Sequence, residues 1–564
     1  MLVNKLLITR SNVLYRTSIA AYTLWFLYQN SLFSRDTSEA YLRSVDDAAF
    51  QLVFHEIQVE IYNRDWLKVV DHVEYAYGWL FWIVHSLAGF PAFLLNELDI
   101  KRLGSVTTEA LTLQAPRNLS LIFTLLTAQV TRLVVREIAA SHKNRSLIET
   151  LVPLMLLAMP TVGYLSGKPS PSALSNLLVA LALRRPIVTY LKLQSLDRKS
   201  LLITAILLGA AVGTKTTAGF AIPVIGLLSA AVIKERKNSF TNFQVVQEFV
   251  VAASVALAAY LTTSNPHLLI NFFDVEEWRN FFGSLFSYTK NATRATGDSL
   301  PQGVSNFFDG TLHPIVYTLA IASLAVARNS RAKVENATVI SRLGLLTLAH
   351  ITAVFLVIVA VSQDVNLERV YITAVMPSFA VVIGSLWCVA QETSVLRGLK
   401  IALVLAVAGG ILASGVSRSP ATLDHFEYRV KWKSSETRAL LETVESLRSD
   451  LPLISGRTTS VLQSYHIPPA YSLTSDSVNQ TLTFLNFTDT SWLINPDYIV
   501  VANNPSQHPE LKTSSQEVPL SDQLLGESPL TRLLQNGEYG SQTCEETITR
   551  DKYIVFKCVA KLGG

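Results

Sequence analysis

The stretch Thr17-Ser-Ile-Ala-Ala-Tyr-Thr-Leu-Trp-Phe-Leu-Tyr-Gln-Asn-Ser-Leu-Phe33 decides the fold, because it is the first of many apolar runs of nearly membrane-spanning length. A helix crosses about 30 Å of hydrocarbon with about 20 mostly apolar residues. No small-residue cleavage site follows the first run, which favours an uncleaved span over a signal peptide. Apolar segments recur at 14–33, 78–96, 118–138, 147–165, 173–191, 200–214, 216–233, 247–263, 313–327, 340–362, 369–390 and 399–417.

The composition agrees with a multi-pass membrane protein. The chain has 564 residues, of which 49% are hydrophobic and only 16% are charged, whereas soluble domains carry about 25% charged residues. The net charge of +4 is small for this length, so no nucleic-acid partner is expected. The sequence predicts a mainly α polytopic transmembrane helical bundle followed by a small extracytoplasmic α/β domain.

Basic residues between the apolar runs set the predicted orientation, because cytoplasmic loops are rich in Lys and Arg. The cytoplasmic positions by this rule are Lys5, Arg10, Arg16, Lys234, Lys237, Arg328, Arg331, Lys333, Arg397 and Lys400. The external loops 34–77 and 264–312 then lie on the other side, as does the soluble domain 418–564, while 1–417 forms the transmembrane domain. A cytoplasmic N-terminus and an external C-terminus need an odd number of spans, so we expect about 11–13 rather than twelve.

The C-terminal 418–564 reads as a separate small domain. Segments 497–501 and 553–556 are typical of strands, and 435–447 has helical spacing of its leucines. Of the three cysteines, Cys388 lies in an apolar run and is expected to pack. Cys544 and Cys558 either form a disulfide, if the domain lies outside the cytoplasm, or remain free in a small core; the sequence leaves both open.

The first external loop carries an adjacent acidic pair, Asp46 and Asp47, preceded by Arg43. If the segment is helical, Arg43 and Asp47 share one face at i and i+4. A carboxylate pair just outside a bilayer suits an enzyme base for a lipid-linked substrate. The alternative is a solvated acidic loop.

Further polar residues are predicted on the same outer side of the membrane. Glu74 and Tyr77 lie in the aromatic stretch 74–82, for which an interfacial belt is the alternative. His267 opens the loop 264–312, whose alternation of aromatic and polar residues suits a helix on the membrane surface. Arg369 and Tyr371 lie at the mouth of a late span, where an arginine can also simply snorkel.

Motifs for nucleotide and metal chemistry are missing from the sequence. It contains neither GxGxxG nor GxxxxGK[ST], so a nucleotide-binding domain is not expected. No CxxC and no Cys/His cluster indicates a structural metal.

The motifs, in this order, resemble the GT-C class of integral membrane glycosyltransferases, within it the branch of protein O-mannosyltransferases and bacterial lipid A aminoarabinose transferases. The matching stretches are Asp46-Asp47, Tyr75-Ala-Tyr-Gly78, Gly209-Ala-Ala-Val-Gly-Thr-Lys215, Asn265-Pro266 and Arg369-Val-Tyr-Ile-Thr-Ala-Val-Met-Pro377. Two features depart from that branch. Segment 166–172 lacks the acidic residue that relatives often carry, and Tyr75 stands where relatives can have a basic residue.

The resemblance implies transfer of a sugar from a polyprenyl-phosphate donor to an acceptor hydroxyl of a glycan, lipid or protein. The expected location is the bacterial inner membrane, with the active site on its extracytoplasmic face. Asp47 or Asp46 would take the hydroxyl proton, or the two would hold a divalent cation. The leaving phosphate needs cations placed in advance, and Arg369 is the first candidate, expected to share one cavity with Asp47. The other substrate-binding candidates are Lys168, Lys215, His267, Arg43, Glu74, Tyr77 and Tyr371.

Two other classes of function compete with this hypothesis. A transporter or flippase of lipid-linked glycans predicts ionisable residues inside the spans and two repeated halves. The sequence shows few mid-span charges and no repeat. A non-catalytic membrane scaffold would leave the acidic pair without cations nearby.

Overall fold

A computed structural model of the chain provides the fold. It describes residues 2–33, 45–71, 77–103, 106–142, 145–157, 160–192, 194, 196–235, 242–292, 335–361, 377–385, 387–388, 459–463, 482–486, 497–502, 533, 536–539, 542–549 and 553–560.

The part of the chain before residue 390 is helical almost throughout its described ranges. Its helices are α1 (Leu2–Phe33), α2 (Val45–Tyr62), α3 (Trp66–Asp71), α4 (Trp79–Glu97), α5 (Thr108–Ile138), α6 (Arg145–Leu157), α7 (Pro160–Ser166), α8 (Pro171–Leu191), α9 (Arg198–Thr214), α10 (Ile222–Glu235), α11 (Asn242–Ser264), α12 (His267–Ile270), α13 (Val275–Ala292) and α14 (Glu335–Val361). A 3₁₀ segment, Thr216–Ala221, joins α9 to α10, and a short hairpin pairs β1 (Arg102–Leu103) with β2 (Val106–Thr107).

Five stretches among the described residues are long and apolar enough to cross a membrane. They are Trp79–Glu97, Gln114–Ile138, Pro171–Leu191, Thr216–Ile233 and Gln244–Ser264. The predicted mainly α membrane architecture is therefore confirmed, whereas the predicted number of spans depends on segments outside the described ranges and stays a prediction.

One predicted segment agrees with the described helices and one begins too late. The described parts of the segment predicted at 147–165 are helical, as α6 and α7. The segment predicted from residue 118 belongs to α5, whose apolar stretch starts at Gln114. Arg117 therefore lies inside a span rather than beside one.

The helices of the bundle share one large apolar core. Val135, Ile148, Leu183, Leu228 and Leu343, from five different helices, are almost completely buried. A further helical stretch, 377–385, contributes to the same core. Cys388 is buried as predicted, and its thiol donates a weak hydrogen bond to the Ile138 carbonyl at 3.8 Å.

Polar contacts join α1, α5 and α6 at the end where α1 begins. Arg132 Nη2 donates to Asn12 Oδ1 at 2.6 Å and lies 3.5 Å from Glu149 Oε1. The Arg132 guanidinium also stacks 4.1 Å above the Tyr15 ring. Since these groups are mostly buried, the contacts satisfy charges that would otherwise be costly in an apolar core.

The chain divides into two compact units, Met1–Arg35 with Gln51–Phe426, and Asp36–Phe50 with Glu427–Gly564. The predicted boundary between residues 417 and 418 lies outside the described residues and stays a prediction.

The C-terminal unit contains a six-stranded mixed sheet. Its strands are β3 (Thr459–Gln463), β4 (Leu482–Asn486), β5 (Tyr498–Ala502), β6 (Glu538–Tyr539), β7 (Gln542–Thr549) and β8 (Tyr553–Ala560), in the order β4-β3-β5-β8-β7-β6. β3 runs parallel to β4 and β5, and the other pairs are antiparallel. The two predicted strands are confirmed as β5 and β8, whereas the predicted helix at 435–447 lies outside the described residues.

A disulfide crosses the last hairpin of this sheet. Cys544 and Cys558 face each other in the register of β7 and β8 and are bonded. Both cysteines lie in a small core with Ile499, Tyr539 and Phe556. Of the two alternatives that the sequence left open, the structure has the bonded pair.

Candidate functional site

A buried loop between α7 and α8 carries a lysine. Residues 165–176 are almost all buried, and Lys168 is only 6% exposed. Ser170 occupies the N-cap position of α8 with an extended backbone, and Pro171 follows as the first helical residue. The Ser170 side chain makes no capping hydrogen bond to the first turn, so the proline, which is favoured at the first helical position, is the local signal for the helix start.

A chain of hydrogen bonds holds this loop against α4 and α5. The Ser170 N–H donates to Ser120 Oγ at 2.9 Å, and Ser120 Oγ lies 3.1 Å from His85 Nε2. His85 Nδ1 lies 2.9 Å from the Phe81 carbonyl, which can only accept. The network thus assigns the proton to Nδ1 and leaves Nε2 to accept from the Ser120 hydroxyl.

A second lysine reaches the start of α8 from the end of α9. Lys215 is the C-cap residue of α9, and its N–H donates to the Ala211 carbonyl at 3.0 Å. Its ammonium Nζ donates to Ser172 Oγ at 2.6 Å. Since Ser172 is the second residue of α8, Lys215 and the loop that carries Lys168 meet at one helix N-terminus.

Arg117 adds an arginine on the helix face that bears Ser120. It is 2% exposed and lies three residues before Ser120 in α5, so both side chains point to the same side of that helix. The sequence argument missed Arg117 because the predicted span began one residue later. The usable signal was an ionisable residue inside an apolar stretch, which marks functional sites in membranes. His85, Ser120 and Ser172 carried no comparable signal.

The arrangement can bind an anion. The N-terminus of a helix presents backbone N–H groups and a partial positive charge, and phosphate binds at such ends. No acidic residue lies in the first turn of α8. Lys168 immediately before that helix and Lys215 at Ser172 add full positive charges in a water-poor setting, where such contacts are strong.

The acidic pair lies at the start of α2. Asp46 and Asp47 are the second and third residues of that helix, and their side chains lie outside the described residues. The predicted partners Arg43, Glu74, Arg369 and Tyr371 also lie outside them. The expected meeting of Asp47 and Arg369 in one cavity therefore stays a prediction.

Tyr77 is described and packs against the start of α4. Its carbonyl accepts a hydrogen bond from Trp82 Nε1 at 3.0 Å, and its ring meets the Phe81 ring edge-on at 5.9 Å. These contacts fit the alternative of an aromatic belt at least as well as substrate binding. Its role in substrate binding stays a prediction.

His267 belongs to a local network at the start of the segment 264–312. Its Nε2 lies 2.7 Å from Asn271 Nδ2 and 3.5 Å from Glu277 Oε1. The loop continues as α13, and Phe273 between the two helices is 94% exposed. The predicted helix in this loop is therefore present, while its contact with a membrane surface and the phosphate-binding role of His267 stay predictions.

Metal ligands do not cluster in the part of the chain whose side chains the structure describes. Within it, no group of three or more His, Cys, Asp or Glu residues could hold a metal ion. The side chains of Asp46 and Asp47 lie outside the described residues, so a divalent cation between them stays a prediction.

The fold and the site define an integral membrane protein with a buried basic site at a helix N-terminus. No family model matches the chain, and no curated protein matches it.

Two solved structures of ArnT from Cupriavidus metallidurans are similar to the chain over nearly its whole length. The one bound to undecaprenyl phosphate is 12% identical, covers 96% of this chain and 99% of that chain, and has a TM-score of 0.47. The apo state is 13% identical, covers 97% and 98%, and has a TM-score of 0.34. Scores this low do not establish an activity, which has to be argued from the residues of the site.

Proposed function

We propose that the protein is a membrane glycosyltransferase that moves a sugar from a polyprenyl-phosphate donor to an acceptor hydroxyl on the extracytoplasmic face. One observation carries the proposal: Lys215 Nζ donates to Ser172 Oγ at 2.6 Å at the N-terminus of α8, and the loop that leads into this helix carries the buried Lys168. The motifs from Asp46 to Pro377 resemble those of the GT-C class in their order. This resemblance supports a lipid phosphate as the anion that binds at the site.

The chemistry divides between a base and a phosphate site. The acceptor oxygen forms a bond to C1 of the sugar, the bond from C1 to the phosphate oxygen breaks, and polyprenyl phosphate leaves. Asp47 or Asp46 takes the acceptor proton, a step that contributes roughly 10²–10⁴-fold to rates in enzymes. Lys168, Lys215 and Arg117 stabilise the negative charge that grows on the leaving phosphate.

The arrangement of the cations suits a phosphate attached to a lipid. They lie in a mainly apolar bundle, and Arg117 lies within a span. A polyprenyl chain can remain among apolar helices while its phosphate reaches the basic site. The phosphate monoester that leaves carries no nucleotide, so no nucleotide-binding domain is needed.

The disulfide supports an extracytoplasmic face for the C-terminal unit. Bonds such as Cys544–Cys558 form and persist outside the reducing cytosol. The basic residues Arg397 and Lys400, which precede the last predicted span, favour the same side for this unit. The two arguments are independent, because one rests on redox chemistry and the other on charge.

The test uses the full-length protein in lipid nanodiscs and membranes. Wild type and the variants Lys215→Met and Lys168→Met are titrated with undecaprenyl phosphate and assayed for sugar transfer from a panel of polyprenyl-phosphate hexoses and pentoses. We expect each variant to lose at least about 10-fold in affinity, the scale of one charge-assisted hydrogen bond.

The matched control is Lys68→Met, which removes an exposed lysine bound to Asp65 in the first outer loop. It should bind like wild type. Wild-type affinity in both site variants, or no sugar transfer from any lipid-phosphate donor by the wild type, would refute the proposed function.

A further inference from the structure

Three glycines permit unusually close backbone contact around the end of α9. A Cβ atom added to Gly78 would lie 1.6 Å from the Gly213 carbonyl oxygen, and one added to Gly213 would lie 2.0 Å from Thr263 Oγ1. A Cβ on Gly209 would lie 2.1 Å from the Ala256 carbonyl oxygen. Gly209 and Gly213 form a GxxxG pattern, which lets membrane helices approach closely.

This contact joins three separate parts of the bundle directly beside Lys215. Gly78, the residue before α4, donates its N–H to the Thr214 carbonyl at 3.1 Å. Gly213 packs against Thr263 near the end of α11. Thr214 is the last residue of α9 and Lys215 follows it. The backbone that carries the Lys215 side chain is therefore clamped from two sides.

A contact to α8 fixes the same backbone from a third direction. Ser175 Oγ donates to the Ala211 carbonyl at 3.1 Å, and the Lys215 N–H donates to that same carbonyl. The Lys215 ammonium then meets Ser172, one helical turn before Ser175. Hydrogen bonds with α8 therefore hold both the backbone at the end of α9 and the ammonium group of Lys215.

We propose that Gly78 and Gly213 are positioning residues that set where the Lys215 ammonium lies at the N-terminus of α8. The effect of these glycines on catalysis rests on the proposed function, in which Lys215 binds the donor phosphate at this helix N-terminus. Any side chain at either glycine would push α9 away from α4 or α11 and move the lysine. Misplacement of a catalytic group by about 1 Å costs up to ~10²-fold in rate.

The first test measures the position of Lys215 without any substrate. The full-length protein in nanodiscs is labelled with limiting acetic anhydride, and the acetylation rate of Lys215 is read by mass spectrometry. We expect Gly213→Ala and Gly78→Ala to change that rate at least about fivefold, because the ammonium leaves Ser172 and its environment changes.

Two other glycines provide matched controls for the same substitution. Gly219 and Gly226 have nothing within 4 Å of an added Cβ, and Gly219 lies only four residues after Lys215. Gly219→Ala and Gly226→Ala should keep the wild-type labelling rate within about twofold. An unchanged rate in both Gly78→Ala and Gly213→Ala would overturn the proposal.

A second-site change separates positioning from general damage. The nearest obstacle to a Cβ on Gly213 is a side-chain atom, Thr263 Oγ1, while the next, the Tyr260 carbonyl oxygen, is 2.8 Å away. Thr263→Ala should therefore partly restore the Lys215 labelling rate of Gly213→Ala. It should not rescue Gly78→Ala, whose obstacle is the Gly213 backbone. Rescue of both, or of neither, would contradict the geometry.

The link to the phosphate is tested by a double-mutant cycle with undecaprenyl phosphate as the probe. If Gly213 acts through Lys215, then Gly213→Ala should weaken binding about 10-fold in wild type and less than about twofold in the Lys215→Met background. Equal losses in both backgrounds would refute a role through Lys215. If the proposed function is wrong, Lys215→Met itself will leave the binding of undecaprenyl phosphate unchanged. The acetylation rates of Lys215 will still show whether Gly78 and Gly213 set the position of its ammonium.

Discussion

Ser120 Oγ lies 3.1 Å from His85 Nε2 and links that buried imidazole to the loop that carries Lys168. The same oxygen accepts the Ser170 N–H at 2.9 Å. One hydroxyl therefore serves two elements, as donor to α4 and as acceptor from the start of α8. The loop that carries Lys168 is thus connected through Ser120 to His85 in α4.

Removing this hydroxyl should destabilise the protein and weaken anion binding together. In Ser120→Ala, both His85 Nε2 and the Ser170 N–H lose a partner in a buried setting, which costs about 1–3 kcal/mol for each group left unsatisfied. We expect a lower midpoint of thermal unfolding in detergent and weaker binding of undecaprenyl phosphate in nanodiscs.

Thr124→Val is the matched control for that change. Thr124 lies one turn further along α5 and is also buried, but its hydroxyl donates only to the Ser120 carbonyl of its own helix. The control should bind the lipid phosphate like wild type. Equal behaviour of the two variants would show that the link between His85 and Ser170 does not position the loop.

Ser172 should matter through orientation rather than charge. Ser172→Ala leaves Lys215 in place but removes the oxygen to which its ammonium donates at 2.6 Å. The lysine then loses a charge-assisted hydrogen bond that holds it at α8, so we expect the KM for the lipid donor to rise about threefold to 10-fold. Ser254→Ala, at an exposed serine that bonds only its own helix, should leave KM unchanged. An unaltered KM in Ser172→Ala would contradict this orienting role.

Hydrophobic patterning predicted the membrane helices well because a span must be long and apolar whatever surrounds it. The five spans of the described chain lie close to predicted segments. The described residues of the segment predicted at 147–165 are helical as well.

The candidate site was less predictable from the sequence. Lys168 and Lys215 could be named as cations, but nothing in their spacing of 47 residues indicates that Ser172 joins them at one helix N-terminus. Arg117 was missed because the predicted span began at residue 118, one residue after it, whereas the apolar stretch begins at Gln114. The roles of His85 and Ser120 could not be predicted, because the function of a buried polar group depends on its hydrogen-bond partner, and the sequence does not show that partner.

The acidic pair should carry the proton transfer. Asp47→Asn, or Asp46→Asn, removes the carboxylate that takes the acceptor proton, and we expect sugar transfer to fall roughly 10²–10⁴-fold for the residue that acts as base. Binding of undecaprenyl phosphate should persist in that variant, because the proposed phosphate site consists of the cations and does not include the base. Sugar transfer is measured in membranes with a lipid-phosphate donor.

Asp65→Asn is a suitable control for the acidic pair. Asp65 lies in the same predicted loop, 34–77, and pairs with Lys68 at 3.0 Å, and the hydrogen bond to Lys68 lowers the pKa of its carboxyl. It is therefore charged at neutral pH, as a catalytic aspartate would be, yet lies on the exposed surface. Turnover at the wild-type level in both Asp46→Asn and Asp47→Asn would remove the pair from the chemistry.

The disulfide between β7 and β8 should stabilise the C-terminal sheet. Cys544 and Cys558 are separated by 14 residues, and closing a loop of about 15 residues restricts the unfolded chain by about 3 kcal/mol. Reduction, or Cys544→Ser with Cys558→Ser, should therefore accelerate amide hydrogen exchange in 542–549 and 553–560 by up to roughly 100-fold. Cys388→Ala removes a buried thiol from the helical bundle and should leave exchange in these strands unchanged. Peptide mass spectrometry under non-reducing conditions identifies the bond directly, and a free thiol at Cys544 in protein isolated from membranes would contradict both the bond and the oxidising compartment that it implies.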